Sequence, residues 1–154
     1  MKKQIKSFHY AFRGILYTIL HEGHFRFHLV AAGFVIFFAA KFYNFDKVGW
    51  CVLMLTISLV LSLECVNTAI ERACNKITEE YDKTIMIAKD VSAASVLVAA
   101  VFAATVAVFL FWDIKTFTDI FNYYKTHILN LVLLLIAVII SILFIALFKS
   151  KKKN

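Results

Sequence analysis

The feature that most restricts this chain is a set of four long apolar runs with no proline anywhere to break them. They cover about residues 25–45, 48–77, 91–112 and 128–148, and each is long enough for a helix to cross the hydrocarbon of a bilayer. A backbone in lipid must satisfy its own polar groups, so runs of this kind fold as helices. The chain is 62% hydrophobic, with a mean hydropathy of +0.79, well above a soluble domain of 154 residues. The expected fold is an all-α integral membrane protein, with an N-terminal amphipathic surface helix, three core transmembrane helices and one extra C-terminal transmembrane helix. Residues 1–112 form the core unit. Residues 113–154 are expected to be an extracytoplasmic loop, the fourth span and a basic cytoplasmic tail.

The surface helix is read from residues 1–20, where Ile5, Phe8, Phe12, Ile15 and Ile19 recur at three- and four-residue steps among Lys2, Lys3, Lys6 and Arg13. No secretory signal peptide is expected, because His9, Arg13, His21 and Glu22 interrupt this stretch. The net charge of +7 does not point to nucleic acid. The basic residues gather at helix ends, where they suit anionic lipid headgroups. Most of the 17 lysines and arginines fall on the side that holds both termini and the 78–88 loop, which is therefore expected to be cytoplasmic. Three cysteines, Cys51, Cys65 and Cys74, are an odd number without CxxC spacing, so neither a disulfide frame nor a zinc site is expected.

Chemistry concentrates where the second span ends. Glu64 follows sixteen uncharged residues, 48–63, and Asn67 and Glu71 stand three and seven positions after it. Seven residues fall about 20° short of two full turns, so the two carboxylates share a face roughly 10 Å apart along the axis. Carboxylates in or beside lipid are costly and are usually functional, while the bland alternative is a polar helix end that pairs with a neighbour. With Glu22, Glu80, Asp82, Lys89 and Asp90 expected on the same cytoplasmic face, the site offers hard oxygen ligands for magnesium, a lysine for phosphate charge and a carboxylate for an alcohol proton. Those are the parts of phosphoryl transfer. No Walker A motif and no Gly-rich kinase loop is present. His24 and His28 are four apart, but HExxH and a third ligand are missing, which favours headgroup-level hydrogen bonding over zinc. A non-enzymatic pore is the rival from another class. It would need polar residues along a whole span, and 91–112 and 128–148 lack them.

The segments Glu64-x-x-Asn67-Thr68-Ala69-Ile70-Glu71 and Ala88-Lys89-Asp90-x-x-Ala93-Ala94-x-Val96 resemble the prokaryotic diacylglycerol kinase family. The upstream order of surface helix, Glu22, Phe25-Arg26 and first span resembles it too, so the likeness covers about residues 1–112. Phe8-x-Tyr10-Ala11-Phe12-x-Gly14 and Glu22-x-x-Phe25-Arg26-x-His28 are more similar to the undecaprenol kinase branch of Gram-positive bacteria than to the diacylglycerol branch. The resemblance implies a magnesium- and ATP-dependent kinase of a membrane lipid alcohol, undecaprenol first and diacylglycerol as the alternative. It implies a multi-pass protein of the bacterial cytoplasmic membrane and a homotrimer with shared sites. By motif position, it implies Glu64 as general base on the lipid hydroxyl and Glu22 and Glu71 as metal ligands. It places Tyr10, Glu22, Asn67, Glu71, Glu80, Tyr81, Asp82, Lys89 and Asp90 against the nucleotide. The chain departs from the family at Asn75, where an aspartate is usual, and at His24, where the undecaprenol branch commonly has asparagine. The fourth span lies outside the likeness.

Overall fold

The computed structural model describes residues 2–77 and 82–147 of the chain. Among the described residues six helices follow in order: α1 (Lys2–His21), α2 (Gly23–Phe42), α3 (Lys47–Ile77), α4 (Lys83–Phe111), α5 (Ile114–Thr126) and α6 (Ile128–Leu147). Helices α2, α3, α4 and α6 are each long and apolar enough to cross a membrane. The all-helical membrane architecture expected from the apolar runs is therefore the one observed.

Two of the helices differ from the expected organisation. The sequence places a loop at residues 113–126, and the structure instead forms α5 over Ile114–Thr126. Asp113 starts it by accepting from the backbone N–H groups of Lys115 and Thr116, an N-cap that supplies partners for two otherwise orphaned donors. Ile114, Phe117, Phe121 and Tyr124 then recur at helical spacing, and Tyr124 is buried against α2 through Phe42. The third span also begins earlier than residue 91. Asp82 caps α4 from the backbone N–H groups of Thr84 and Ile85, so the charged residues from Lys83 onward are helical.

The core of the bundle is the α3–α4 pair. Ser92, Val96 and Ala99 of α4 are buried at helical spacing, and Ser92 meets Asn67 of α3. Ala99 of α4 is buried within the chain, and Ala103 and Ala107, four and eight residues further on, line a crevice shared with α2 and α3. Small residues let the helices approach where lipid offers no hydrophobic driving force. Helix α6 packs on α2 and α5 at the edge of the bundle, and none of its apolar window is buried.

Helix α1 carries Ile5, Phe8 and Phe12 exposed, as an apolar face meant for lipid would be. Its C-terminal end is tied down. Arg26, 1% exposed, donates through Nη1 to the carbonyls of Ile19 and Leu20 and through Nη2 to that of Ile145. One guanidinium thereby serves the C-terminal carbonyls of both α1 and α6. It also sets the end of the fourth span beside the α1–α2 junction. At the opposite end Tyr43 donates to the Phe111 carbonyl, joining the end of α2 to the end of α4. The Tyr43 hydroxyl titrates above its ordinary range, chiefly because it is partly buried and then because of the Asp113 charge.

Candidate active site

Glu22 is the single residue between α1 and α2. Its extended backbone, with φ −112° and ψ 113°, turns the chain from the surface helix into the first span. The break holds the carboxylate against α3, where Glu22 Oε1 accepts from Arg72 Nη2 at 2.7 Å. Arg72 is itself placed by Tyr17, whose ring lies 5.3 Å below the guanidinium.

Glu64 sits two turns earlier on α3, facing inward. Its side chain is 6% exposed, and Oε1 lies 3.4 Å from Nε2 of His28 on α2. Below His28 an apolar crevice of about 210 Å3 opens between α2, α3 and α4, lined by Ala31, Ala32, Leu53, Ile57 and Ala103 among others. A buried carboxylate with an imidazole partner therefore stands near the head of a mostly apolar groove.

A second cleft of about 210 Å3, between α3 and α4, is lined by Asn67, Glu71, Lys89, Asp90 and Ala93. Four of the residues singled out in the sequence thus meet in one place. Lys89 Nζ donates to Asn75 Oδ1 at 3.0 Å, so Asn75 still holds the lysine although it brings no charge. Asn67 Oδ1 accepts from Ser92 Oγ at 2.6 Å.

Other expected site residues lie elsewhere. Tyr10 is on the outer face of α1, 57% exposed, under the Arg13 guanidinium. Asp82 is engaged as the cap of α4. Glu80 and Tyr81 fall outside the described residues.

The donor set of the α3–α4 cleft fits magnesium. Its two carboxylates, Glu71 and Asp90, are hard and few, and this cation takes one or two carboxylates and completes its shell with phosphate oxygens and water. Among the described residues no group of three His, Cys, Asp or Glu gathers as an all-protein cage. Glu22 is occupied by Arg72 rather than lining this cleft.

Three residues of the site were not singled out from the sequence. Arg72 and Ser92 carry no motif signal, and their roles depend on which side of α3 or α4 meets a neighbour. His28 was noted only as half of a metal pair and as a motif position, not as the partner of Glu64.

Residues 9–111 match the family model described as prokaryotic diacylglycerol kinase. Among curated proteins the chain is similar to the undecaprenol kinase of Bacillus subtilis, at 33% identity over 111 residues covering 72% of this chain and 89% of that one. It is 36% identical over 101 residues to a diacylglycerol kinase of Synechocystis, covering 65% of this chain and 57% of the relative. It is 30% identical over 109 residues to the diacylglycerol kinase of Escherichia coli, covering 71% of this chain and 88% of the relative.

Proposed function

The chain belongs to the prokaryotic diacylglycerol kinase family, and on that premise we propose that it transfers the γ-phosphate of ATP to the hydroxyl of a membrane lipid alcohol. Undecaprenol is the first acceptor. The Bacillus relative named for it is matched over 89% of its length, and the surface-helix motif resembles that branch more than the diacylglycerol branch. Diacylglycerol, named for the Synechocystis and Escherichia relatives, is the second. The observation that carries the reading is Glu64: a carboxylate buried in a membrane helix beside an apolar crevice, three positions before a cleft rich in hard oxygen and cationic groups.

In this reading the tail of the acceptor lies in hydrocarbon and its hydroxyl reaches Glu64. Glu64 removes the hydroxyl proton as the oxygen attacks the γ-phosphorus, and the bond to ADP breaks. His28 holds the carboxylate in place. Lys89 meets phosphate charge, and Asn67 and Asp90 position the nucleotide. Glu71 and Glu22 are the carboxylates proposed to hold magnesium, which would neutralise phosphate charge. For Glu22 that role means exchanging its bond to Arg72. Tyr10, Glu80, Tyr81 and Asp82 are proposed nucleotide contacts on motif position alone. The site faces the cytoplasm of a bacterial plasma membrane, and the chain works as a homotrimer. The positions of the basic residues support the orientation, and the family resemblance supports the assembly.

The test is transfer of labelled γ-phosphate by the purified chain in detergent, with magnesium, to undecaprenol and to diacylglycerol side by side. Labelled undecaprenyl phosphate in excess over phosphatidic acid is expected. Folded protein that labels neither lipid would overturn the reading, and the reverse preference would replace the acceptor.

A further inference from the structure

Asn67 is held in the α3–α4 cleft by a residue outside every motif position. Ser92, on α4, is 5% exposed, and its Oγ lies 2.6 Å from Asn67 Oδ1 and 2.9 Å from the Lys89 carbonyl oxygen. A serine hydroxyl has one proton and donates it to one acceptor. The Lys89 carbonyl lies inside α4, where the N–H four residues further on serves it. The Asn67 oxygen depends on a side chain. A separation of 2.6 Å is also typical of O–H···O bonds and shorter than N–H···O bonds usually run. The proton therefore goes to Asn67 Oδ1, which decides which end of a nearly isosteric amide meets Ser92. The –NH2 end is left for the cleft that Asn67 lines with Lys89, Glu71 and Asp90.

We propose that Ser92 is a positioning residue, which turns Asn67 so that its amide N–H groups are offered to a phosphate oxygen of the nucleotide, beside the Lys89 ammonium. The proposal rests on the kinase reading. It divides the cleft by charge: Lys89 and the Asn67 amide nitrogen face anionic oxygen, and Glu71 offers oxygen to a cation. Without the Ser92 hydroxyl the amide is free to turn its own oxygen toward the phosphate, which repels it.

The experiment is equilibrium binding of a non-hydrolysable ATP analogue, with magnesium, to the full chain in detergent, together with KM for ATP and kcat. Ser92→Ala is expected to weaken binding roughly three- to tenfold, the usual worth of one hydrogen bond, and to raise KM with kcat little changed. On an Asn67→Ala background the same change is expected to add nothing. Asn67→Asp keeps the shape and loses the N–H donors, so it is expected to bind more weakly than Asn67→Ala. Equal weakening by Ser92→Ala on both backgrounds would make Ser92 a packing residue and overturn the proposal. Binding by Asn67→Asp as tight as by the parent would overturn it too, since the amide oxygen would then be the end facing the ligand. A parent chain that binds no analogue would remove the kinase reading itself and this proposal with it.

Discussion

Lys89 donates to Asn75 at 3.0 Å, and the pairing is neutral on one side, so the lysine is held without its charge being cancelled. Replacing Asn75 by leucine leaves Lys89 without that partner, and KM for ATP is expected to rise about two- to fivefold with little change in kcat, as befits one exposed hydrogen bond. Asn75→Asp keeps an acceptor at the same reach and is expected to stay near the parent. Steady-state kinetics at fixed lipid alcohol check both, and an Asn75→Leu chain with unchanged KM would contradict the role given to the pair. Residues such as Glu64, Asn67 and Glu71 were legible in the sequence because charge after a long apolar run is expensive and their spacing puts them on one face. Lys89 and Asp90 were legible through their motif. Ser92 and Arg72 were not, because a serine or an arginine in a helix has no signal of its own until the opposing helix is known. Here the opposing groups are Asn67 and Glu22.

At the scale of elements, the four spans could be read from length and apolarity alone, whereas α5 could not. Its thirteen residues mix polar and aromatic side chains, and an isolated helix that short is marginal in water. The cap at Asp113 and the burial of Tyr124 make the difference. Asp113 titrates below the usual carboxylate range, chiefly through the hydrogen bond from the Thr116 hydroxyl, helped by the backbone N–H groups of Thr116 and Lys115. Its folded value is lowered, so the contribution to stability is present above the ordinary carboxylate range and is lost as pH falls through the lowered value. Amides of 114–126 are therefore expected to lose exchange protection, relative to intrinsic rates, on acidification. Asp113→Asn, which has no charge to lose, is expected to show no such step. A parent chain equally protected at both ends of that range would contradict the cap.

In the whole molecule, Arg26 draws three helices together at the end that carries the candidate site: its own α2, α1 and the tip of α6. Two of these bonds reach α1 and one reaches α6, so the surface helix keeps its anchor when the fourth span is removed. Helix α6 otherwise packs on α2 and α5, away from the α3–α4 cleft. We therefore propose residues 1–112 as the kinase unit, and a chain ending at Trp112 is expected to retain lipid phosphorylation in detergent. A truncated protein that is folded yet inactive would show that α6 takes part in the site.

The central claim is that Glu64 activates the lipid hydroxyl, and Glu64→Gln tests it most directly when nucleotide binding and lipid phosphorylation are measured on one preparation. Glutamine keeps the size and reach of the side chain but takes up no proton. The account predicts near-normal binding of magnesium-ATP and a loss of about two to four orders of magnitude in turnover, the usual worth of general-base catalysis. Loss of binding and turnover together would move Glu64 into the nucleotide site, and loss of neither would contradict the account.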